Sequence, residues 1–359
     1  MKSLTIRIKL IKTALVCLLL SGVIFSSCKK TDPPVVVPPA DKVALQAAVT
    51  IAQGINDNTV EGTKPNQYEV GTKAALSAAL AASKLVLADV KASQTSVNNT
   101  TAQLLAAIAA YQTHLIKEIA AANLIGFWKM NGNTADSSGN DNNGVATVGH
   151  IFYGAGVLAL AQDRFGREGM AYAFDKGSNI NVPYKAALNA PQMSISLWCK
   201  WSSTGRTINT DTYTFVAMNR WNGYKFQLQS GHLPFLTVRA LKAVADSQYY
   251  DRDDQGTAIE ENTWRHLVVT YGGGNMNFYI DGDLVKSWDN TPGTALTLGS
   301  PIDFVIGQDL PTASYLTVDG DFQVAWGGFF TGIMDDVMYY NIALDGPQVK
   351  SIYNNQKAL

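Results

Sequence analysis

The feature that most constrains the fold is a change of hydrophobic period near Asn123. From Lys42 to about Ala122 the chain is rich in Ala, Leu and Val at three- and four-residue steps. Beyond Asn123 the apolar residues alternate instead, in short segments rich in aromatics and separated by Gly, Asn and Asp clusters. A period of 3.6 produces one-sided helices and a period of 2 one-sided strands, so the chain must build two successive units of different kind. In the first, Lys42 to Asn56 places Val43, Ala47, Ile51 and Ile55 on one stripe, and Glu69 to Asp89 does the same with Leu76, Leu80, Ser83 and Leu87. A third and longest helix carries Val97, Thr101, Leu104, Ile108, Tyr111, Leu115 and Ile119. Three amphipathic helices with short connections predict a small all-α three-helix bundle at residues 42–122. In the second unit, "GMAYAFDKGSNINVP", "MSISLWCKW", "YKFQLQ", "WRHLVVTY", "MNFYIDGDLVKSW", "IDFVIG" and "IMDDVMYYN" each read as a strand or hairpin. Asp281-Gly282 marks a two-residue turn, because glycine accepts the positive φ such a turn requires. Many strands with no helix between them predict an all-β antiparallel sandwich at residues 123–359.

The amino terminus points to export. "MKSLTIRIKLIK" is basic, and "TALVCLLLSGVIF" is an apolar run too short to span a bilayer comfortably, followed by the small residues of "SSC". Residues 1–27 are therefore expected to be a signal peptide. Its removal takes four cations and no acid, so 28 Lys+Arg become 24 against 29 Asp+Glu and the formal charge moves from −1 to −5. Neither charge state provides a basic footprint for nucleic acid. "FSSC" resembles the lipobox of bacterial lipoproteins, apart from Phe25 where that motif usually has Leu; the resemblance implies lipid on Cys28 and a lipid bilayer as partner. The prolines of "KKTDPPVVVPPADK" make residues 28–41 an extended tether. With Cys17 lost and Cys28 lipidated, Cys199 has no partner for a disulfide; inside a strand it reads as an inert small residue.

Two family resemblances sharpen these units. "GTKPNQYEVGTKAALSAALAASKLVLAD" followed by "QTSVNNTTAQLLAAIAAYQ" resembles the FIVAR module of bacterial surface proteins, which implies a spacer or a weak polysaccharide binder. "GFWKMNGNTADSSGNDNNGVA", "MAYAFDKGSNINVP", "MSISLWCKW", "NTWRHLVVTYGGGNMNFYIDGDLV" and "FFTGIMDDVMYYNIALDGPQVKSIYN" resemble, in order, the segments of the laminin-G-like jelly roll of the concanavalin A-like lectin/glucanase superfamily. Trp264, His266, Tyr271, Tyr279, Asp281 and Gly282 fall where that family expects them. The implied fold is an antiparallel jelly roll.

Candidate sites follow from chemistry and from that resemblance. Glycoside hydrolysis needs two carboxylates about 5–9 Å apart, one with a raised pKa. The Glu-x-Asp-x-x-Glu string of the superfamily's glucanases is missing, and so are nucleophile-elbow, zinc-protease, Cys-x-x-Cys and phosphate-loop motifs. A non-catalytic protein is expected. His266, Trp198 and Trp264 read as packed strand residues, and "YYDRDDQG" as a solvated loop. The family resemblance implies a structural calcium ion, with Asp136 of the first loop and Asp335 of the closing strand as ligands and Asn131, Ser138 and Asn143 as neighbours. Strand alternation would send Asp335 and Asp336 to opposite faces, leaving Asp336 solvated or hydrogen-bonded nearby. Sugars stack on aromatic faces with polar groups at their hydroxyls. Trp221, Tyr224, Tyr249, Tyr250 and Trp326 are the candidate platforms, with Arg220 and Asn222 as polar contacts. The expected protein is a lipid-anchored glycan binder, its partner a polysaccharide, in the outer membrane of a Gram-negative bacterium. The alternatives are a structural or adhesive surface protein that binds another protein and, less favoured, a polysaccharide-degrading glycoside hydrolase.

Overall fold

A computed structural model describes residues 38–149, 155–204, 212–229, 231–243, 246–256, 258–315 and 328–357. The expected signal peptide, Cys28 and Trp326 lie outside the described residues. Among the described residues no helix is long and apolar enough to cross a membrane.

Three helices come first: α1 (Val43–Asn58), α2 (Lys73–Ala88) and α3 (Gln94–Gln112). The Ser93 hydroxyl caps α3 by accepting from the Ser96 N–H, which satisfies one of the donors a helix start leaves open. Their shared core holds Leu76, Leu80, Val97, Leu104, Ile108 and Tyr111, as the spacing predicts for α2 and α3. The stripe expected for α1 is corrected: Val43 is 76% and Ile51 53% exposed, while Leu45, Ala48, Val49 and Ala52 are buried. Leu45, Ala48, Val49 and Ala52 also keep three- and four-residue steps, so the stripe that packs is a second one beside the stripe expected. Because α3 ends at Gln112, Leu115 and Ile119 belong to the connection rather than to the helix. Between α1 and α2, β1 (Glu61–Gly62) pairs with β2 (Tyr68–Glu69) in parallel.

The second unit is a sandwich. In chain order its strands are β3 (Leu124–Trp128), β4 (Val145–Thr147), β5 (Ala159–Ala161), β6 (Ala171–Phe174), β7 (Asn179–Val182), β8 (Met193–Trp201), β9 (Tyr213–Met218), β10 (Tyr224–Gln229) and β11 (Leu233–Ala243). Then follow β12 (Asp246–Asp253), β13 (Arg265–Gly272), β14 (Asn275–Ile280), β15 (Asp283–Trp288), β16 (Thr294–Ala295), β17 (Phe304–Ile306), β18 (Gly332–Tyr340) and the closing helix α4 (Gly346–Gln356). One sheet runs β12-β11-β10-β9-β17-β7-β4 with β16 beside β11; the other runs β15-β14-β13-β8-β18-β6-β5 with β3 beside β18. Every pairing described in the two sheets is antiparallel. Their inner faces bury one core, including Phe226, Leu228, Leu236 and Val238 from the first sheet and Ile195, Leu197, Leu267 and Phe278 from the second. The β14–β15 turn is the one the sequence predicts: Asp281 and Gly282 have φ of 52° and 79°, and Ile280 faces Asp283.

The outer face of the second sheet is covered. Val349 of α4 packs with Val268, Tyr279, Met338, Tyr340 and Leu344, joined by Ile119 from the segment after the helices. The start of α4 is fixed by a reciprocal cap between Asp345 and Gln348. Lys117 pairs with Asp345 at 2.8 Å, and the Ser351 hydroxyl donates to the Thr63 carbonyl. The first sheet's outer face is the one that carries a cleft.

Candidate functional site

Two adjacent aspartates, Asp335 and Asp336, lie within β18. Asp335 and Asp336 form a bulge: pairing with β8 breaks between Asp335 and Met338, and Asp336 adopts φ 47°. The bulge lies where the other edge of β18 changes partner, from β6 at Gly332–Met334 to β3 at Val337–Tyr340. A bulge suspends alternation, so the expectation of opposite faces is corrected. Both carboxylates reach one guanidinium, Arg164 Nη1 to Asp335 Oδ2 at 2.5 Å and Nη2 to Asp336 Oδ2 at 2.8 Å. Arg164 also donates to the Gln356 carbonyl and lies 4.7 Å from the Trp198 ring centroid. Burial and the neighbouring Asp336 charge push the Asp335 pKa up to about 8 against the pull of Arg164. Burial, with a smaller push from Arg164, drives His266 down to about 3; its Nε2 meets the Ser196 hydroxyl at 2.9 Å. His266 and Trp198 are packed residues, as expected. Trp264 lies just before β13 and is only partly buried, a correction, since its ring stands beside Lys200 rather than in the core.

Asp136 Oδ1 accepts from the Phe127 and Ser138 N–H groups, and Oδ2 from the Asn142 N–H and the Ser138 hydroxyl, all within 2.8–2.9 Å. Burial works to raise its pKa, and these donors more than offset that, leaving it below the ordinary value. Asn143 Oδ1 accepts from the Asp136 N–H. Asn131, with its amide turned to donate, reaches the Lys129 and Met170 carbonyls. Both oxygens of Asp136 are thus filled and Asp335 is held by a guanidinium, so Asp136, Asn131, Ser138, Asn143 and Asp335 do not fit a calcium ion as arranged. Among the described residues no group of three or more His, Cys, Asp or Glu gathers for a metal.

The outer face of the first sheet has a different character. Alternation in "YKFQLQ" turns Tyr224, Phe226 and Leu228 into the core and Lys225, Gln227 and Gln229 outward. Register places Lys225 beside Thr237 and Thr237 beside Asp251, with Arg239 beside Tyr249 one rung away. With strands about 4.8 Å apart, the Asp251–Thr237–Lys225 rung makes a floor about 10 Å wide. A cleft of 530 Å³ stands on it, lined by Trp221, Lys225, Gln229, Phe235, Thr237, Tyr249, Asp251 and Asp309, with Thr212 and Gly328 at its edges.

The β9–β10 connection sets the cleft wall. Asn219 and Arg220 both take left-handed backbone, φ 58° and 51°, a conformation that costs on the order of 1 kcal/mol or more per non-glycine residue. The turn is held by Asn222 and Gly223 N–H groups on the Asn219 carbonyl. A Cβ at Gly223 would lie 2.2 Å from the Met218 carbonyl oxygen, so glycine is required there. Arg220 is fully buried and its Nε donates to Asp309 Oδ2 at 2.8 Å; the Tyr315 hydroxyl donates to Asp309 Oδ1. Trp221 stands above this anchor, its ring centroid 5.0 Å from the Arg220 guanidinium and 5.2 Å from the Lys225 ammonium. On the far side Arg239 lies 5.2 Å from the Tyr249 ring, and Asn222 Oδ1 accepts from both Arg239 and Tyr249.

The candidates read from sequence therefore divide. Trp221 and Tyr249 line the cleft, Asn222 braces its rim, and Arg220 lies beneath as an anchor. Tyr224 and Tyr250 are corrected as sugar platforms: their rings lie in the core and their hydroxyls donate to the Leu188 and Pro292 carbonyls. "YYDRDDQG" is corrected too, since Asp246–Asp253 is strand β12 and Asp251 sits in the cleft. Lys225, Thr237, Phe235 and Asp309 were not anticipated. Alternation within "YKFQLQ" carried the signal for Lys225.

With this geometry in place, residues 174–350 match the family model of the concanavalin A-like lectin/glucanases superfamily, and this stretch is a domain of that superfamily. A Gellan lyase from Bacillus sp is 41% identical over 78 residues, 22% of this chain and 3% of that protein, so the chain spans only a small part of that relative's length. Domain 4 of an extracellular GH43 arabinanase from Geobacillus stearothermophilus, solved in complex with arabinotriose, has a TM-score of 0.47 at 23% identity, covering 64% of this chain and 98% of that one. The binding domain of Paraclostridial Mosquitocidal Protein 1 has a TM-score of 0.43 at 19% identity over 66% and 53% of the two chains.

Proposed function

We propose that this chain, with its concanavalin A-like lectin/glucanase domain at residues 174–350, binds a glycan in the cleft on the outer face of the first sheet and does not cleave it. The observation that carries this reading is the cleft itself. Aromatic faces at Trp221 and Tyr249 flank a floor of hydrogen-bonding side chains, the combination that sugar rings require. Among the described residues, the cleft's two carboxylates are already engaged in hydrogen bonds. Asp309 has both oxygens engaged by Arg220 and Tyr315, and Asp251 accepts from the Thr237 hydroxyl at 2.7 Å. A general acid would have to be free to give a proton to a leaving oxygen.

The test is affinity electrophoresis of the full chain in gels containing plant, algal and host polysaccharides. Wild type should be retarded by at least one, and Trp221→Ala should lose about tenfold or more of that affinity, since base or ring stacking on an aromatic contributes on the order of 1–3 kcal/mol. Retardation by none would favour the structural or adhesive alternative, and release of reducing ends from the same polysaccharides would restore the hydrolase. We further infer that the helical unit is a spacer, and that lipid on Cys28 anchors the protein to the outer membrane with the tether holding the cleft clear of it. Membrane partitioning that survives a Cys28→Ala change would refute the anchor.

A further inference from the structure

We propose that the glycan is anionic, with a carboxylate or sulfate substituent of one sugar residue seated against Lys225 at the Trp221 end of the cleft. This rests on the glycan-binding reading and names its ligand class. Lys225 projects from the central strand β10 into the cleft and is only 9% exposed. Among the described residues its ammonium makes no hydrogen bond and no ion pair within 4 Å. The carboxylates near it are committed elsewhere: Asp309 to Arg220 and Tyr315, and Asp251, two strands away, to Thr237. Burial lowers the Lys225 pKa; Asp309 and Asp251 support the charge only through space, and Arg220 opposes it.

An ammonium that faces the cleft with three donors and only the Trp221 ring beside it is an incomplete site. Neutral hydroxyls would satisfy its hydrogen bonds. An anion would satisfy both the bonds and the charge, and charge-assisted bonds are roughly twice as strong as neutral ones. The rest of the floor gives the ligand a direction. Asp251 at the opposite edge can only accept, so it repels an anionic group there and takes sugar hydroxyls instead. Arg239 adds a second cation at the rim, braced by Asn222 and Ser247.

The experiment titrates the full chain with polygalacturonate and alginate, with dextran sulfate, and with neutral arabinan, xylan and dextran. Wild type should prefer an anionic polymer by about tenfold or more, with affinity falling as NaCl rises. Lys225→Gln should remove that preference while melting like wild type, and Lys225→Arg should restore most of it. Polygalacturonate or alginate bound over dextran sulfate assigns a carboxylate; the reverse assigns a sulfate. If neutral polymers bind as well as anionic ones, and Lys225→Gln leaves binding unchanged while Trp221→Ala abolishes it, the anionic assignment is overturned and the glycan reading stands. If no polymer binds, both fall together.

Discussion

Arg164 shows how a pair of adjacent aspartates can be structural. Two carboxylates and one guanidinium are enclosed between β18, the Trp198 face of β8 and the last turn of α4, so the cluster holds more acid than base. Asp335 carries the consequence, held near 8 where an ordinary carboxyl lies near 3.8. The folded chain thus binds a proton that the unfolded chain has released. This contribution to stability is complete below about pH 4 and is lost as the pH rises to about 8. Replacing Asp335 by Asn keeps an oxygen for Arg164 and removes the charge. The variant should lose less stability than wild type over that interval, by on the order of 2 kcal/mol after allowing for relaxation of the site. Chemical denaturation at both ends of the interval measures it; parallel pH slopes for the two proteins would place the proton elsewhere.

At the scale of elements, most of the fold was legible because periodicity reports burial directly. Most of the alternating segments, the Asp281-Gly282 hairpin, the stripe of α2 and the stripe of α3 as far as Tyr111 lie where spacing puts them. The failures have specific causes. The α1 stripe was misplaced because a second set, Leu45, Ala48, Val49 and Ala52, keeps the same helical spacing and is the one that packs. Asp335 and Asp336 were sent to opposite faces because a bulge at a change of strand partner leaves no mark in a period-2 pattern. The site was half legible. Trp221 and Tyr249 stood out as aromatics in polar surroundings, whereas Tyr224 and Tyr250, in the same surroundings by sequence, turn their rings into the core. Asp309 and Arg220 find each other across 89 residues, and no local pattern announces such a pair.

For the whole molecule, the two sheets are treated differently. The second sheet's outer face is closed by α4 and tied to the helical unit through Lys117–Asp345 and Ser351–Thr63. The first sheet's outer face keeps a cleft with a strained, anchored turn at its wall. Function is therefore assigned to the open face, which the proposed spacer and the proposed anchor would present. The most direct test is a structure of the full chain soaked with an oligosaccharide cut from whichever polysaccharide retains it. A sugar ring is expected within about 4 Å of Trp221, with its acidic substituent on the Lys225 ammonium and its hydroxyls toward Asp251. A sugar bound on the α4 side, or at the sandwich edge away from Trp221 and Tyr249, would contradict it.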